Sequence, residues 1–474
     1  MIKYTFCLLF LFLLAFSLKA QNCNCGDNFR FVVEKIKKNY IGYNDKVSSS
    51  NQLQFQKFTD SLQNIATASS PYKCTGLIRD WLSFFEDKHI DFGIDFSKLS
   101  PDSVRFFFEN EEKTRWSESI FKSYLKNNDE RLDSIEGIWN FGIYEIGIVK
   151  DSTKRDLEFI GFVIKADSAR WMPQQIKFKI KKTGNQYETI YFSGGDHSIN
   201  YPNLIVQKDL LDFGLFGRWK RGEKKTKAAS PSKIVPPELM ASFKVLDDQT
   251  SLLTLPSFDI KYKSRIDSLI DNNKDNLSTT KHLIIDVRDN PGGTTGCFEK
   301  LIPYLYTNPI HIDGGIVLAT EDNIRDCYEK DYSYSSLETR KKIKKNNEKL
   351  RAHLGELYPL YKPETIKLSK TLKKPERISI LINKNTASSG EYFILRAEQS
   401  KKVTLFGQNT SGMVDYGEIA ITHPPCVFFT LIYPVAKSLL SLKRPLDNIG
   451  IAPNVRIPER EKDWINFVRN YKTN

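Results

Sequence analysis

Residues 283–293 read Leu283-Ile284-Ile285-Asp286-Val287-Arg288-Asp289-Asn290-Pro291-Gly292-Gly293. The mostly apolar run that begins this stretch predicts a buried strand, which ends in a polar, glycine-rich turn before a helix. Glycines at 292 and 293 let backbone N–H groups converge on a small cavity, and a helix N-terminus adds positive potential. Such a turn suits a phosphate or a developing oxyanion. Taken alone, it is explained more simply as a tight strand-to-helix turn without chemistry.

Two nucleotide-binding motifs are excluded at this turn. A P-loop requires Gly-Lys-Ser/Thr, which does not follow, and a dinucleotide fingerprint requires a third spaced glycine, which is missing. Around the turn, strand and helix patterns alternate, which is typical of an α/β domain. We therefore predict an α/β core over residues 238–474. A charged, Lys-rich stretch interrupts it and predicts a solvated helical insertion over residues 321–365.

The part of the chain before the core divides into three further segments. Residues 21–135 form an N-terminal helical region, since apolar residues such as Phe29, Ile36, Trp81 and Phe85 recur there at helical spacing. Residues 136–216 change to short alternating runs rich in Ile, Val, Phe and Tyr, which predicts a β-rich module. The basic, Ser- and Pro-bearing residues 217–237 are predicted to be a linker.

Composition and the first residues of the chain indicate its class and compartment. The chain has 474 residues and a net charge of +13, with 40% hydrophobic and 27% charged residues, which excludes disorder, collagen and a disulfide-knot scaffold. Residues 1–20 resemble a signal peptide cleaved near Ala20, so we expect a secreted or periplasmic protein. No later segment is apolar enough to cross a bilayer.

Cysteine and histidine usage gives no sign of a metal site. After residue 20 the cysteines number six, too few for a disulfide framework, although Cys23, Cys25 and Cys74 could form an N-terminal staple. No pair of cysteines or histidines has zinc-finger spacing, so we expect no metal and no cofactor. The basic stretches lack interleaved aromatic residues, so nucleic-acid binding is not expected and solvated faces are favoured.

Two further stretches carry residue types that catalysis uses. Residues 385–391 place Ser388 between a buried strand and a helix, where a serine is usually an N-cap. The small neighbours Ala387, Ser389 and Gly390 would also let a substrate approach a nucleophile there. Residues 85–89 end in His89, one of six histidines, which taken singly is more often a surface or core residue.

Together these motifs resemble the tail-specific, or C-terminal-processing, serine peptidase family, and are closer to its tricorn core branch. The resemblance covers residues 240–457 and the stretch around His89. It implies a ClpP/crotonase-like α/β fold for the core. The matching pieces occur in the family's order: residues 255–258, residues 286–293, the turn at Ser388, residues 407–412 and residues 448–454.

The resemblance also implies roles for individual residues. Counting three residues back from Glu391 gives Ser388 as the nucleophile. The Ser-Lys branch carries its basic lysine after a Thr-x-Gly sequence, where this chain has Met413, a thioether that cannot accept a proton at neutral pH. The tricorn branch uses a histidine from before the core, which matches His89, and an acid that matches Asp447. Its auxiliary serine before the histidine is replaced by Lys88.

The remaining implication of the resemblance is an oxyanion hole formed by backbone N–H groups of Gly292 or Gly293 and of Ser389. We therefore expect a secreted or periplasmic serine endopeptidase acting on a peptide or protein through an acyl-enzyme. The alternative is an inactive ligand- or peptide-binding protein on the same fold. An acyl-CoA enzyme of the crotonase type fits the signal peptide poorly. A diverged PDZ domain in the β-rich module remains open, and so does the oligomeric state.

Overall fold

The computed structural model describes residues 23–70, 73–151, 158–184, 186–222, 240–329, 337–458 and 461–471. It has two compact units, one comprising the residues up to Gly93 together with Ala241 onward, the other Ile94–Met240. The predicted signal peptide, residues 1–20, lies outside the described residues. Within the described ranges, no helix combines the length and the apolar character needed to cross a membrane.

Helices open the first unit, as predicted from the sequence. They pack around an aromatic cluster in which Phe55 contacts both Trp81 and Phe85. A disulfide between Cys25 and Cys74 joins the first helix to the fourth. The elements are α1 (Cys25–Asn39), α2 (Tyr43–Lys46), α3 (Gln52–Thr67) and α4 (Cys74–Leu82), a 3₁₀ turn (Ser83–Phe85) and strand β1 (Asp91–Ile94).

Among its described residues, the second unit contains two α-helices and one nine-stranded antiparallel sheet, in the spatial order β7-β6-β5-β4-β3-β2-β10-β9-β8. Buried Trp139 and Trp219 lie in its core. The elements are α5 (Pro101–Phe108), α6 (Glu118–Asn127), β2 (Gly137–Phe141), β3 (Tyr144–Lys150), β4 (Glu158–Lys165), β5 (Ile176–Thr183), β6 (Gln186–Phe192), β7 (Ile199–Asn200), β8 (Ile205–Gln207), β9 (Leu210–Asp212) and β10 (Arg218–Arg221).

Two boundaries predicted from the sequence differ from the structure here. Helices α5 and α6 belong to the second unit, whereas the helical region was predicted to continue to residue 135. Strand β10 lies inside the predicted linker. Its Trp219 is buried between exposed Arg218 and Lys220, and the basic composition of the stretch hides this alternation in the sequence. The rest of the predicted linker lies at residues 223–239, outside the described residues.

The remainder of the first unit alternates strands and helices, so the α/β prediction is confirmed. Its helices are α7 (Lys263–Asn272), α8 (Lys274–Thr279), α9 (Ile302–Leu305), α10 (Glu321–Asn323), α11 (Leu337–Arg351), α12 (Ser389–Ala397) and α13 (Trp464–Asn470). Its strands are β11 (Ser242–Val245), β12 (Thr250–Thr254), β13 (His282–Asp286), β14 (Ile310–Ile312), β15 (Gly315–Leu318), β16 (Leu357–Tyr361), β17 (Glu364–Ile366), β18 (Arg377–Ile382), β19 (Val403–Gly407), β20 (Tyr416–Thr422), β21 (Phe429–Ser438) and β22 (Val455–Arg456).

The insertion at residues 321–365 is only partly helical. It contains α10 and α11, and also strand β16, which pairs with β15 in the second sheet of this unit. Residues 357–361, Leu-Tyr-Pro-Leu-Tyr, are apolar and aromatic, and the neighbouring lysines mask that local strand pattern. The helical prediction therefore fails for residues 357–361 because composition was averaged over a longer stretch.

Two sheets of the first unit position the candidate site residues. The six-stranded sheet runs β11-β12-β13-β18-β19-β22, with β13 and β18 adjacent and parallel. The carboxyl ends of adjacent parallel strands meet at one edge, so the glycine turn after β13 and the serine turn after β18 lie together. In the other sheet, β1 pairs with β21 just after His89. That pairing joins the segment that carries His89 to the second sheet of the unit.

Candidate active site

Ser388 occupies a strained turn between β18 and α12. Its backbone angles are φ 51° and ψ −120°, in the left-handed half of the backbone map that non-glycine residues rarely adopt. A serine strained between a strand and a helix is the geometry of a nucleophile elbow, which presents the hydroxyl above the sheet. Ser388 stands at the N-cap position of α12, as the simpler sequence explanation expected, but a cap does not require this conformation.

Buried Glu391 holds the serine turn to the neighbouring loop. Its carboxylate accepts hydrogen bonds from Ser388 N at 3.0 Å, Thr410 Oγ1 at 2.5 Å, Gly412 N at 2.8 Å and Met413 N at 2.8 Å. Burial raises the pKa of Glu391, and these four donors act in the opposite direction. With its oxygens occupied in this way, Glu391 fixes the geometry of the turn.

Met413 therefore lies beside the serine turn, at the position where the Ser-Lys branch carries its base. A thioether cannot take a proton from the hydroxyl. Lys88, which directly precedes His89, donates to Ser411 O at 2.6 Å, and among the described residues no lysine is hydrogen-bonded to Ser388. A lysine base is consequently not formed in this arrangement.

Among the described residues, the side chain hydrogen-bonded to the Ser388 hydroxyl is that of His89. Its Nε2 lies 3.4 Å from Ser388 Oγ, across 299 positions of sequence. The side chain is 11% exposed, and burial lowers the pKa of His89 below its usual 6.5, with the nearby Asp87 charge opposing that shift. At neutral pH the imidazole is therefore uncharged and able to accept the hydroxyl proton.

Asp87 is the carboxylate next to the ring of His89, and the sequence reasoning missed it. Its Oδ1 accepts a hydrogen bond from His89 N at 2.9 Å and lies 3.9 Å from His89 Nδ1. Tyr40 donates its hydroxyl to Asp87 Oδ2 at 2.8 Å. Burial raises the pKa of Asp87, and His89 opposes that shift. The available signal was an acidic residue two positions before the histidine in the same short motif.

Asp447, the acid implied by the resemblance, is not hydrogen-bonded or ion-paired to His89 in the structure. Its Oδ1 accepts from Asp415 N at 3.0 Å, while its own N–H donates to Asp415 Oδ2 at 3.1 Å. Burial raises the pKa of Asp447 to about 7, and the charges of Asp87 and Asp415 add to that rise. Asp447 therefore interacts electrostatically with two other carboxylates, those of Asp87 and Asp415.

The residues of the predicted oxyanion hole differ in the use of their N–H groups. Gly292 N donates to Asn290 Oδ1 at 2.9 Å, so that N–H is occupied. For Gly293 N and Ser389 N no acceptor occurs among the described residues. Ser389 Oγ donates to Gly293 O at 2.7 Å, which holds the two residues together. The pair with free N–H groups beside Ser388 is thus Gly293 and Ser389.

Glycine is required at 292 by close approach to the serine turn. Its φ is 99°, and a Cβ there would lie 2.8 Å from Ser388 Cβ and 2.9 Å from Ser389 N. Any side chain at 292 would therefore crowd the Ser388 turn. Across the described residues, no group of three or more His, Cys, Asp or Glu is arranged to hold a metal ion.

Residues 249–457 match the model of Peptidase family S41. This range includes the glycine turn, Ser388 and Asp447, and it ends before α13. It does not include the helical region that carries His89. Comparison with curated proteins gives no match.

Several solved structures resemble the chain over most of its length. A structure from Parabacteroides merdae ATCC 43184, described as a candidate peptidase, is 13% identical, with 94% of this chain and 93% of that one covered and a TM-score of 0.43. Mature CPAF is 11% identical, with 92% of each chain covered and a TM-score of 0.46. The photosystem II D1 C-terminal processing protease is 12% identical, with 92% and 94% covered and a TM-score of 0.38.

Proposed function

Residues 249–457 are a peptidase family S41 domain and the protein is a serine-type peptidase, and from that premise we propose that it is an endopeptidase with Ser388 as nucleophile and His89 as general base. The observation that carries the proposal is the 3.4 Å separation of His89 Nε2 and Ser388 Oγ at a strained strand-to-helix turn. Reacting groups in apo structures are often slightly long and tighten when substrate binds.

In this mechanism His89 takes the hydroxyl proton as Ser388 Oγ attacks the scissile carbonyl, and it then donates that proton to the leaving amine. Water, deprotonated by the same imidazole, hydrolyses the acyl-enzyme. General base catalysis of this kind contributes about 10²- to 10⁴-fold to the rate. The N–H groups of Gly293 and Ser389 would stabilise the oxyanion, each by about 2.7–4 kcal/mol.

We assign the orientation of the histidine to Asp87, with Asp447 as a more distant contributor. Asp87 fixes the His89 backbone and lies on the Nδ1 side of the ring, so its charge can stabilise the imidazolium that forms. The 3.9 Å from Asp87 Oδ1 to His89 Nδ1 requires a small closure before a hydrogen bond forms. Asp447, implied by the resemblance, acts on this site through its charge coupling with Asp87.

We propose a secreted or periplasmic location for the mature chain. The apolar N-terminus supports it, and so do two disulfides, Cys23–Cys426 and Cys25–Cys74. Disulfides persist in oxidising compartments and are rare in the cytosol. Mass spectrometry of the mature N-terminus tests this: a start near residue 21 supports export, and an intact Met1 contradicts it.

Labelling with a fluorophosphonate probe tests the catalytic assignment. The wild type should be labelled at one serine, Ser388→Ala should not be labelled, and His89→Ala should be labelled at least 100-fold more slowly. Ser278→Ala, on the exposed side of α8, is the matched control and should be labelled like the wild type. Equal labelling of Ser388→Ala, or none of the folded wild type, contradicts the proposal.

A further inference from the structure

The nucleophile and the base belong to different parts of the chain, so their separation depends on contacts between those parts. We call residues 86–90 the His89 loop. It is a tight turn, in which Glu86 has a positive φ of 45° and Ile90 N donates to Asp87 O at 3.1 Å. Such a turn fixes the shape of the loop but does not fix its distance from Ser388.

Two side chains outside the proposed catalytic groups join the His89 loop to the core. Asn448 Nδ2 donates to Glu86 O at 2.6 Å at the start of the loop. Lys88 Nζ donates to Ser411 O at 2.6 Å and lies 3.4 Å from Ser411 Oγ, one position before the histidine. Within the described part of the chain no carboxylate forms an ion pair with Lys88, so its hydrogen bonds go to neutral oxygens.

Ser411 is itself part of the structure that holds the nucleophile. Its N–H donates to Thr386 O at 2.8 Å, two residues before Ser388. The next two N–H groups, of Gly412 and Met413, donate to Glu391, which also binds Ser388 N. The carbonyl that Lys88 contacts is therefore fixed relative to Ser388 through a short series of hydrogen bonds.

We propose that Lys88 is a positioning residue: its ammonium holds the His89 loop to the Ser411 carbonyl and so sets the distance between the imidazole and Ser388. Lys88 replaces the serine found before the histidine in the tricorn branch, and here it performs a different task. This inference rests on the proposed function, because it concerns the placement of the proposed base. An error of about 1 Å in such a placement costs on the order of 100-fold in rate.

Labelling kinetics with a fluorophosphonate probe separate this role from others. The maximal labelling rate reports the Ser388–His89 pair, and the probe concentration at half-maximal rate reports binding. We expect Lys88→Met to lower the maximal rate about 10- to 100-fold while leaving the half-maximal concentration within twofold. Lys88→Arg should recover at least part of the rate, because a guanidinium can donate to the same carbonyl.

The control variant Lys57→Met removes an exposed lysine of α3 and should have no effect on labelling. Each variant is checked by its melting temperature, and because Lys88 is exposed, Lys88→Met should melt within a few degrees of the wild type.

The outcomes that overturn the proposal are distinct. Lys88→Met labelled at the wild-type maximal rate removes the positioning role and leaves the proposed function intact. A raised half-maximal concentration with an unchanged maximal rate shows instead that the ammonium contacts the ligand, which also contradicts positioning. If the folded wild type is not labelled at all, the proposed function fails and this inference fails with it.

Discussion

Cys23 and Cys426 lie 403 positions apart in the chain and are joined by a disulfide bond. The bond connects a residue two positions before the start of α1 with the loop between β20 and β21. Beside it, Cys426 N donates to Asn28 Oδ1 at 3.1 Å. Because the helical region carries His89 and the core carries Ser388, this covalent link restrains the proposed base relative to the proposed nucleophile.

The double variant Cys23→Ser/Cys426→Ser should therefore lose both stability and activity. Removing a native disulfide typically costs about 2–4 kcal/mol of unfolding free energy, because the unfolded chain regains freedom. Urea unfolding measures that loss, and fluorophosphonate labelling measures activity. The comparison variant is Cys25→Ser/Cys74→Ser, which keeps the Cys23–Cys426 bond. When the two double variants are compared at the same unfolding free energy, this one should retain more labelling. If both double variants lose labelling equally, the Cys23–Cys426 bond has no specific effect on the site.

The acid limb of the pH–rate profile should lie below pH 6.5. The base acts only when neutral, and burial lowers the pKa of His89, so the imidazole stays neutral at pH values where an exposed histidine is partly protonated. The rate of probe labelling against pH measures the midpoint. A midpoint above 6.5 would mean that the Asp87 charge outweighs burial, in contradiction to this prediction.

Replacing each acid in turn should distinguish their roles. Asp87→Asn removes the charge that raises the pKa of His89, so the acid limb should move to lower pH, and the labelling rate should fall about 100-fold or more, because the imidazolium loses its stabilising anion. Asp447→Asn should have a much smaller effect, since that carboxylate is hydrogen-bonded to Asp415 N. A larger loss for Asp447→Asn than for Asp87→Asn would restore Asp447 as the orienting acid.

The α/β core and the serine turn could be predicted because their signals are local. The apolar run of β13, its glycine turn and the small residues around Ser388 are each contained in about ten residues. By contrast, the boundary of the second unit depends on where α5 and α6 pack. The sequence of an amphipathic helix does not specify which surface its apolar face contacts. The strand β10 was missed because a single buried Trp219 decides it within a basic stretch.

The identity of the carboxylate beside His89 could not be predicted from local sequence either. The resemblance implies Asp447 from its place in a motif, but the direction of a carboxylate depends on which donor it meets. Here Asp447 Oδ1 accepts a hydrogen bond from Asp415 N. Asp87, by contrast, accepts hydrogen bonds from the Tyr40 hydroxyl and from His89 N, which hold it beside the imidazole ring. Tyr40 lies in α1's C-terminal cap, 47 positions from Asp87, and only the folded chain brings them together.

Gly292→Ala should abolish labelling while the protein still folds. The new Cβ would lie 2.8 Å from Ser388 Cβ and 2.9 Å from Ser389 N, so the space for an acyl oxygen is lost. The positive φ of 99° adds a backbone cost of about 1–2 kcal/mol. The measurement is labelling together with the melting temperature, and Gly142→Ala is the matched control, because its Cβ meets nothing within 4 Å at a positive φ. Normal labelling of Gly292→Ala would show that the space is not used.

Lys177→Met should stabilise the second unit at neutral pH. Lys177 is buried, with Nζ 4.0 Å from the Trp171 ring centroid and 4.9 Å from that of Tyr191. Burial lowers the pKa of Lys177 to about 7. An unfolded lysine titrates near 10.4, so between about pH 7 and 10 the unfolded state binds more protons and the stability of the wild type rises with pH. The change from pH 7 to 10 is at most about 4 kcal/mol.

Methionine fills the same space without a charge, so the variant should be more stable near pH 7 and should show a flatter dependence on pH. Urea unfolding followed by tryptophan fluorescence at pH 7 and pH 9.5 tests this, because four of the six tryptophans, residues 116, 139, 171 and 219, belong to this unit. Lys179→Met is the matched control on the same strand. Its ammonium forms an exposed ion pair with Glu112 at 2.7 Å, so its loss should leave the pH dependence unchanged. A wild type whose stability does not rise over this range would show that Lys177 remains protonated in the fold.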